Sequence, residues 1–544
     1  MRSLADVPRS LLRRLPAPAR DALRFVANPR RESKYFADWR EFRRDTRSIT
    51  GALERVMPRA GDEVLIHSLH GYVPSLKEDA LHGAMLAASG IRPVYLAWRG
   101  GGLDRYLRVA PRVRVLYWED FLDNPTAGDK RLAADLVNNA NTLADLVQIE
   151  HDGIDLGRHV LSWFMRTRRL GTIGLEQHRG AIIADLGRSL AAARAADRVL
   201  DAVNVSSILM NERGYTPFGE FFDAAMKRGH RTVHWGALYS DDARVFKAYT
   251  PATRTEHPYS LSADTWKNAL SVPFSADDRH RLLANWESFY TSRTWFNFQR
   301  LQHLTITMSR EEVVAELGLD ASKPTAALFA HIFWDATFFY GRSLYDDYQQ
   351  WFVETVRLAN QSTSVNWVIK LHPVNVWRLA ADGTADAKYS EMAALEDAGI
   401  ALAPHVKLVM PDTRVSSWSL FQAADYCFTV RGTVGIEMAM LGKRVVTAGT
   451  GHYSAHGFTV DPESREAYRD IVLNPTSLAP MSSEERDRAM RFANALFFRK
   501  AYRFDTHRFE YSNAPDAYLP LNGRARILSA TDDAFINSPA AKKW

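Results

Sequence analysis

The sequence contains a single cysteine, Cys427, in 544 residues. One cysteine excludes an intrachain disulfide and a cysteine-rich metal site, and it suits a reducing compartment such as the cytoplasm. Long apolar runs are also missing. No segment approaches the roughly 18 uninterrupted apolar residues that span a bilayer, and the N-terminus lacks the apolar run of about 7–15 residues of a signal peptide. We therefore expect a cytoplasmic protein that is neither secreted nor integral to a membrane.

An excess of positive charge is confined to the N-terminus. Residues 1–50 contain 13 Lys/Arg and 6 Asp/Glu, a net of +7, whereas the rest of the chain contains 56 and 57. A nucleic-acid enzyme needs positive charge in its working groove, so this distribution predicts no nucleic-acid partner. Two readings of the segment 1–50 stay open. It lies on the anionic inner-membrane surface as a basic arm, or it packs its few apolar residues on the body.

Strand-like and helix-like segments alternate along the chain. Residues 63–70, 77–90 and 93–99 read as strand, helix and strand, and a second alternating run begins near residue 325. This pattern predicts an α/β fold with two Rossmann-like, doubly wound domains that face a cleft. The predicted boundaries are 1–50 for the arm, 51–310 for a first domain with a helical insertion, 311–500 for a second domain, and 501–544 for a C-terminal segment that packs back on the first domain.

The segment "ADYCFTVRGTVGIEMAMLGKRVVTAG" (424–449) contains the strongest local pattern. A buried strand ends at Val430, the turn 431–433 follows, and a helix opens at Val434 with Thr433 placed to cap it. Free N–H groups at a helix start are suited to bind a phosphate. An ordinary capped crossover from strand to helix is the alternative.

Four residues of this segment are suited to binding a nucleotide. Gly432 and Gly435 allow close approach of a ligand to the backbone, and Arg431 adds positive charge beside a phosphate. Glu437 lies one turn into the helix, where its carboxylate can accept hydrogen bonds from ribose hydroxyls.

Five short motifs occur in one order: "KLHP" (370–373), "VSSWSL" (415–420), "GTVGIE" (432–437), "GKRVV" (442–446) and "GHYSAHGFTVDP" (451–462). Together they resemble the nucleotide-binding half of GT-B glycosyltransferases, and more closely the bacterial capsule polysaccharide biosynthesis proteins that include Kdo transferases. The resemblance is strong over about 325–465 and weaker in the first half.

This resemblance implies that residues 51–310 form the acceptor domain and 311–500 the donor domain of a metal-independent glycosyltransferase. It implies no cofactor, a nucleotide sugar as co-substrate, and a glycan or glycolipid acceptor of a surface polysaccharide or lipopolysaccharide. The implied donor is CMP-Kdo or a similar acidic sugar. One departure is Gly432, which replaces the first hydroxyl residue of the usual Ser/Thr pair. The nucleotide-binding residues implied are Lys370, His372, Ser416, Ser417, Arg431, Gly432, Thr433, Val434, Gly435 and Glu437.

His372 is also a catalytic candidate. Pro373 ends the preceding strand because it lacks a ladder donor, which leaves His372 at the edge of the sheet where a donor phosphate would lie. An imidazole there can donate to the leaving phosphate and, if protonated, offset its developing charge. Lys370 shares that face and is the weaker candidate.

A transferase also needs a base for the acceptor hydroxyl, or a nucleophile if configuration is retained. Glu212, directly after a first-domain strand, is the first candidate. Asp335, after a second-domain strand, is the alternative, followed by His67 and His70 on the first strand.

Metal-binding patterns are absent from the sequence. No two aspartates are separated by one residue, so the Asp-x-Asp pair of the other large transferase class is missing, and no HExxH motif or Cys/His cluster occurs. Other function classes stay open: a polyol-phosphate transferase of wall or capsule polymers, a nonhydrolysing UDP-sugar 2-epimerase, and an inactive scaffold of the same fold.

Overall fold

The computed structural model describes residues 26, 28–59, 61–99, 102–238, 243–291, 306–372, 375, 388–411, 413–511, 521 and 523–528. The first part of the chain contains α1 (Pro29–Asp45), α2 (Arg47–Leu53), β1 (Glu63–Ser68), α3 (Val73–Ala88), β2 (Arg92–Ala97), β3 (Arg114–Tyr117), α4 (Ala127–Asn138), α5 (Leu143–Val147), α6 (Leu156–Arg168), α7 (Leu175–Asp201), β4 (Ser207–Met210), α8 (Phe218–Lys227), β5 (Arg231–Ala237), β6 (Ala243–Tyr249), α9 (Ala263–Ser271) and α10 (Ala276–Thr291).

The second part contains α11 (Arg310–Leu317), β7 (Thr325–Phe329), α12 (Tyr348–Gln361), β8 (Asn366–Lys370), α13 (Ser390–Asp397), β9 (Val406–Val409), α14 (Ser417–Ala423), β10 (Tyr426–Thr429), α15 (Val434–Met440), β11 (Arg444–Thr447), α16 (Arg465–Leu473) and α17 (Ser483–Asn494). The described chain ends with three short strands, β12 (Tyr502–Arg503), β13 (His507–Glu510) and β14 (Arg524–Ile527).

The first sheet has seven strands in the order β12-β6-β5-β4-β1-β2-β3. Strands β1 to β5 run parallel, and all six residues of the central strand β1 are buried. Burial on both faces explains why β1 reads as a continuous apolar run in the sequence. Helices cover this sheet, with α6 and α7 contributing much of the apolar core on one side.

The second sheet has five parallel strands in the order β11-β10-β7-β8-β9. Its central strand β7 is buried at every position, and Phe329 of β7 is paired in register with Lys370 of β8. Because α12 and α16 pack on one face and α14 and α15 on the other, this sheet is also doubly wound. The predicted α/β fold with two Rossmann-like domains is confirmed.

Strand β6 is not among the strand-like segments that the sequence predicts. It pairs antiparallel with β5, and β12 from the C-terminal segment then pairs antiparallel with β6. The chain therefore returns to the first sheet after completing the second. Phe504, Phe509 and Ala525 of this returning segment are buried in the core of the first domain.

Helices α1 and α2 pack on the first domain. Tyr35, Phe42, Ile49 and Leu53 are buried in the same core as α3. Asn28 caps α1 by accepting the Arg31 N–H at 3.3 Å. Of the segment 1–50 that the sequence assigns to a basic arm, residues 28–50 therefore form packed structure, and residues 1–25 lie outside the described residues.

No helix among the described residues has both the length and the apolar character to cross a bilayer.

Candidate functional site

The carboxyl ends of the two sheets meet at Asp335, which lies in the loop after β7. Its Oδ1 accepts a hydrogen bond from Arg166 Nη1 at 2.7 Å and from the Tyr215 hydroxyl at 2.6 Å. Arg166 is in the last turn of α6, and Tyr215 follows β4, so both donors belong to the first domain. Ligands of open α/β sheets bind at this edge of the strands, and the contact therefore marks the junction where a substrate would be held.

Glu212 lies in the loop between β4 and α8, three residues before Tyr215. Its Oε1 accepts the backbone N–H groups of Arg213 at 2.8 Å and Gly214 at 3.2 Å. Burial raises the pKa of Glu212, and the positive charge of Arg166 opposes that rise. A carboxylate whose pKa moves toward neutral is suited to accept a proton from a hydroxyl group.

Gly214 is the position that lets the second domain approach this loop. A β-carbon at Gly214 would lie 2.4 Å from the Phe339 ring, and no such contact is sterically allowed. The neighbouring Tyr215 ring packs edge-to-face on the same Phe339, with centroids 4.4 Å apart. A glycine is therefore required for the two domains to close around Glu212 and Asp335.

His372 follows β8 by two residues. Pro373, which the sequence predicts to end the strand, lies outside the described residues. Burial lowers the pKa of His372 to about 4, and the negative charge of Asp335 partly offsets the change. The imidazole is therefore neutral near pH 7, so its contribution to a phosphate is a hydrogen bond and not the positive charge that a protonated histidine would add.

His331 lies between β7 and Asp335 and was not identified from the sequence. Its Nε2 accepts the Arg431 backbone N–H at 3.3 Å and lies 3.3 Å from Thr429 Oγ1. Burial, with a smaller contribution from His372 and Arg431, lowers the pKa of His331 to about 3. His331 thus connects the loop after β7 to the end of β10.

The predicted phosphate turn is formed, but Thr433 does not cap its helix. Thr433 occupies the N-cap position of α15 with φ −54° and ψ −26°, and its side chain accepts no hydrogen bond from the helix. An N-cap residue normally has extended backbone angles that aim its oxygen at the N–H groups, and helical angles do not. Val434 opens α15 and packs partly buried on the hydrophobic core.

The glycines of this turn also serve a different purpose from the predicted one. A β-carbon at Gly435 would lie 2.2 Å from the Tyr453 hydroxyl, so Gly435 makes room for that ring. The same hydroxyl donates to the Gly432 carbonyl at 2.7 Å. Gly435 is therefore explained by packing within the second domain, without a ligand.

Arg431 is 8% exposed and points along the second domain. Its Nη1 donates to the Tyr340 carbonyl at 2.6 Å, and its guanidinium lies 5.6 Å from the centroid of the Tyr348 ring. Within the described part of the chain, Arg431 Nε is buried without a hydrogen-bond partner. Arg431 therefore holds the loop after β7 through its Nη1 group, while its Nε–H group makes no hydrogen bond within the described part of the chain.

Glu437 is 3% exposed, and its carboxyl group lies against α10. Burial raises the pKa of Glu437 to about 8, and hydrogen bonding from Tyr290 and Trp286 of α10 opposes the rise. The carboxyl group is largely neutral near pH 7 and is covered by an aromatic helix. The contact with ribose hydroxyls that the sequence predicts for Glu437 does not fit this arrangement of α10.

The remaining predicted nucleotide-binding residues have structural contacts. Lys370 is buried at the end of β8, and its Nζ donates to the Met410 carbonyl at 3.1 Å. Ser416 caps α14 by accepting the Ser419 N–H at 3.0 Å. Ser417, the first residue of α14, is half-buried. These residues shape the edge of the second sheet, and Lys370 also lies close enough to His372 to disfavour its protonation.

A histidine and an aspartate form a further pair at the end of β1. His70 Nε2 lies 2.8 Å from Asp79 Oδ2, and Asp79 also accepts from Ser68 Oγ at 2.7 Å and Trp235 Nε1 at 3.0 Å. The fully buried Asp79 is held by these donors and fixes the orientation of the His70 ring. His67, the other histidine proposed from β1, is fully buried, so it cannot contact an acceptor.

The structure thus brings together Glu212, Asp335 and His372 from the predicted set, and adds Arg166, Tyr215 and His331. Tyr215 could have been found, because it follows Glu212 in "NERGY". Arg166 has no local signal, since it comes from a helix far away in sequence. The cluster holds two carboxyl groups, a neutral imidazole and a guanidinium group, which is chemistry for moving a proton and stabilising a leaving anion. No group of three or more potential metal ligands occurs among the described residues.

No known family model and no curated protein matches the chain. Solved structures that are similar include the Thermosulfurimonas dismutans KpsC beta Kdo 2,4 transferase, with 12% identity, 56% of this chain and 82% of that chain covered, and a TM-score of 0.32. The KpsC beta Kdo 2,7 transferase of the same organism has 12% identity, coverages of 63% and 87%, and a TM-score of 0.33. A glycosyltransferase from Rickettsia africae has 10% identity, coverages of 81% and 95%, and a TM-score of 0.29.

Proposed function

We propose that the protein is a glycosyltransferase that moves a sugar from a nucleotide donor on the second domain to a hydroxyl group of a glycan or glycolipid on the first domain. The observation that supports this proposal most directly is the cluster at the domain junction, where Arg166 lies between Glu212 of the first domain and Asp335 of the second, and His372 lies near Asp335. Two-substrate transfer needs both domains to contribute to one reaction centre, and this cluster does so.

We assign the roles from the contacts of each group. Glu212, whose pKa is raised, takes the proton of the acceptor hydroxyl as its oxygen bonds to the anomeric carbon. The bond from that carbon to the donor phosphate breaks, and the nucleotide leaves with the electron pair. Neutral His372 donates a hydrogen bond to the leaving phosphate. Asp335 is a positioning residue, because both of its donors hold it between the domains.

The motif order "KLHP" and "GTVGIE" supports a CMP-linked acidic sugar such as Kdo as the donor. The first motif begins at the last residue of β8 and the second follows β10, the two strands that flank β7 in the second sheet. The absence of an Asp-x-Asp pair supports a reaction without a metal ion. A cytoplasmic protein on the inner membrane, where a lipid-linked acceptor is found, is consistent with the basic N-terminus.

The test combines nucleotide binding with turnover. We expect CMP, and not UDP, to raise the melting temperature of the full-length protein, and we expect transfer from a CMP-sugar to persist in excess chelator. Glu212→Gln should lower turnover roughly 100-fold or more, the usual loss for a general base, without weakening CMP binding. His372→Ala should weaken CMP binding and also lower turnover.

Glu316→Gln, on the exposed face of α11, is the matched control and should leave both quantities unchanged. Stabilisation by UDP alone would contradict the Kdo-type assignment, and conversion of a UDP-sugar without any acceptor would identify an epimerase instead. If Glu212→Gln keeps full turnover and His70→Gln abolishes it, the base is the His70–Asp79 pair.

A further inference from the structure

A groove of about 490 Å³ lies on the first domain, where α1 and α2 pack against the 3₁₀ helix Leu103–Leu107. Four arginines line it: Arg43, Arg47, Arg105 and Arg108. The only acidic residue among its lining residues in the described part of the chain is Glu54. The groove is formed by packed helices, so its charge is held in a fixed place and not on a free segment.

The arginines of this groove are organised around Trp39. The guanidinium of Arg43 lies 5.6 Å from the centroid of the Trp39 ring, and that of Arg105 lies 5.7 Å from the same ring. The Trp39 Nε1 donates to the Arg105 carbonyl at 3.3 Å, which fixes the ring against the 3₁₀ helix. Two positive groups are thus held beside one aromatic side chain.

Most of this charge is not neutralised by the protein. Arg108 lies 3.5 Å from Asp104, but no carboxylate of the described residues lies within ion-pair distance of Arg43, Arg47 or Arg105. The Nε of Arg105 is buried and has no hydrogen-bond partner in the described part of the chain. Guanidinium groups bind phosphate oxygens strongly through paired hydrogen bonds, so a phosphate ester would satisfy these donors.

An exposed aromatic side chain lies beside the groove. Phe36 of α1 is 44% exposed, and its ring centroid lies 5.5 Å from that of Trp39. Phenylalanine, tryptophan and arginine on one helical surface are typical of elements that lie in a membrane interface, where the apolar groups enter the acyl region and the cations meet headgroups.

We propose that this Arg–Trp groove binds the phosphate of an anionic phospholipid headgroup and seats the first domain on the membrane surface. The proposal concerns the folded helices α1 and α2, and it requires neither residues 1–25 nor the transfer reaction. The exposed Phe36 favours a lipid over a free phosphate, because a soluble anion would gain nothing from contact with its ring.

The experiment measures sedimentation of the full-length protein with vesicles of phosphatidylcholine, with and without phosphatidylglycerol. The double variant Arg43→Gln/Arg105→Gln is compared with Arg131→Gln/Arg469→Gln, which removes two exposed arginines elsewhere. We expect the groove variant to bind phosphatidylglycerol vesicles roughly 30-fold more weakly, since each basic residue near an anionic surface contributes about 1 kcal/mol. The control variant should bind like the wild type. Phe36→Ser should also weaken vesicle binding.

Binding of inorganic phosphate, measured by calorimetry, separates the two sources of the anion. If both double variants bind vesicles equally, the groove is not a lipid site. If the groove variant loses binding of inorganic phosphate but keeps vesicle binding, the site takes a soluble phosphate and the lipid assignment is wrong. Melting temperatures verify folding, and Arg47→Gln, at an exposed position, tests the groove again if the double variant unfolds.

Discussion

Glu437 lies one turn into α15, as the sequence predicts, but its chemistry is set by a helix from another part of the chain. The aromatic side chains of α10 cover the carboxyl group, and burial raises its pKa to about 8. The motif fixes the position of Glu437 along its own helix. It contains no information about α10, because the contact joins residues almost 150 positions apart in the sequence.

This buried carboxyl group predicts a pH dependence of stability. The pKa of Glu437 in the folded protein, about 8, lies above its value in the unfolded chain, so folding takes up a proton between the two values. The resulting stabilisation is complete below the unfolded pKa and is lost as the pH rises through about 8. Glu437→Gln, which stays neutral, should therefore be more stable than the wild type above that pH, by a few kcal/mol at about 1.4 kcal/mol per pKa unit.

Urea unfolding at a series of pH values measures this difference. The profile of Glu437→Gln should be flatter than that of the wild type, whereas exposed Glu316→Gln should follow the wild type. Parallel profiles for wild type and Glu437→Gln would mean that the carboxyl group is ionised and solvated in the folded protein.

At the scale of elements, α1 is the part of the segment 1–50 that packs its apolar residues on the body, the second of the two readings of that segment. Asp38 of α1 accepts from Lys77 Nζ at 2.7 Å and from the Tyr106 hydroxyl at 2.7 Å. Lys77 is 3% exposed, so its ammonium group depends on this contact and on the Gly523 carbonyl at 2.9 Å. A count of charges along the sequence shows the many basic residues of α1 but does not show that its buried residues, Tyr35 and Phe42, lie on one apolar face.

Truncations distinguish an arm from a packed helix. Deleting residues 1–27 keeps α1 and its capping residue Asn28, and this truncation is the reference. Deleting residues 1–45 also removes Tyr35 and Phe42 from the core, together with Asp38, the carboxylate that pairs with Lys77. Each buried aromatic side chain contributes about 1.5–3 kcal/mol, so the longer truncation should lower the urea midpoint strongly. Equal midpoints for the two truncations would show that α1 contributes nothing to the folded body.

The elements that could be predicted are those with strong local patterns. Strands β1, β7 and β8 are buried throughout, so they read as apolar runs, and α12 shows a clear helical period. Strand β6 was missed because its identity depends on pairing with β5 and with β12. The same distinction holds for the site: Glu212, Asp335 and His372 follow from strand ends, whereas Arg166 is brought there only by the packing of α6.

At the scale of the whole molecule, buried imidazoles connect the two domains. His257, after β6, stacks on His452, after β11, with ring centroids 4.8 Å apart. Burial lowers the pKa of His452 to about 3, and burial lowers the pKa of His257 well below its ordinary value. Protonation of either imidazole is unfavourable because basic groups surround both rings. His257 is faced by Arg213, Arg431 and His234, and His452 is faced by Lys247 and His456.

Acid should therefore weaken this contact between the domains. Both folded pKa values lie below those of the unfolded chain, so the stabilisation is present above about pH 6.5 and is lost as the pH falls toward about 3. We expect the radius of gyration from small-angle X-ray scattering to rise over this range. His452→Phe keeps an aromatic ring without a titrating group, and it should reduce the expansion.

His67→Phe is the matched control, because His67 is also fully buried with a pKa lowered to about 3 but lies within the first domain. It should change the pH dependence of unfolding without changing the scattering curve before unfolding. Expansion that is the same in wild type and His452→Phe would assign the acid response to other buried groups.

The return of the chain from the second sheet to β12 has a consequence for synthesis on the ribosome. Strand β6 gains its outer neighbour β12 only after β7 to β11 have all been translated. Until then the nascent chain exposes an unpaired strand edge, which is a site for pairing with other chains. Folding of the first domain during translation is therefore incomplete until the last part of the chain emerges, and a polypeptide released before residue 502 contains Glu212, Asp335 and His372 but has an open sheet edge.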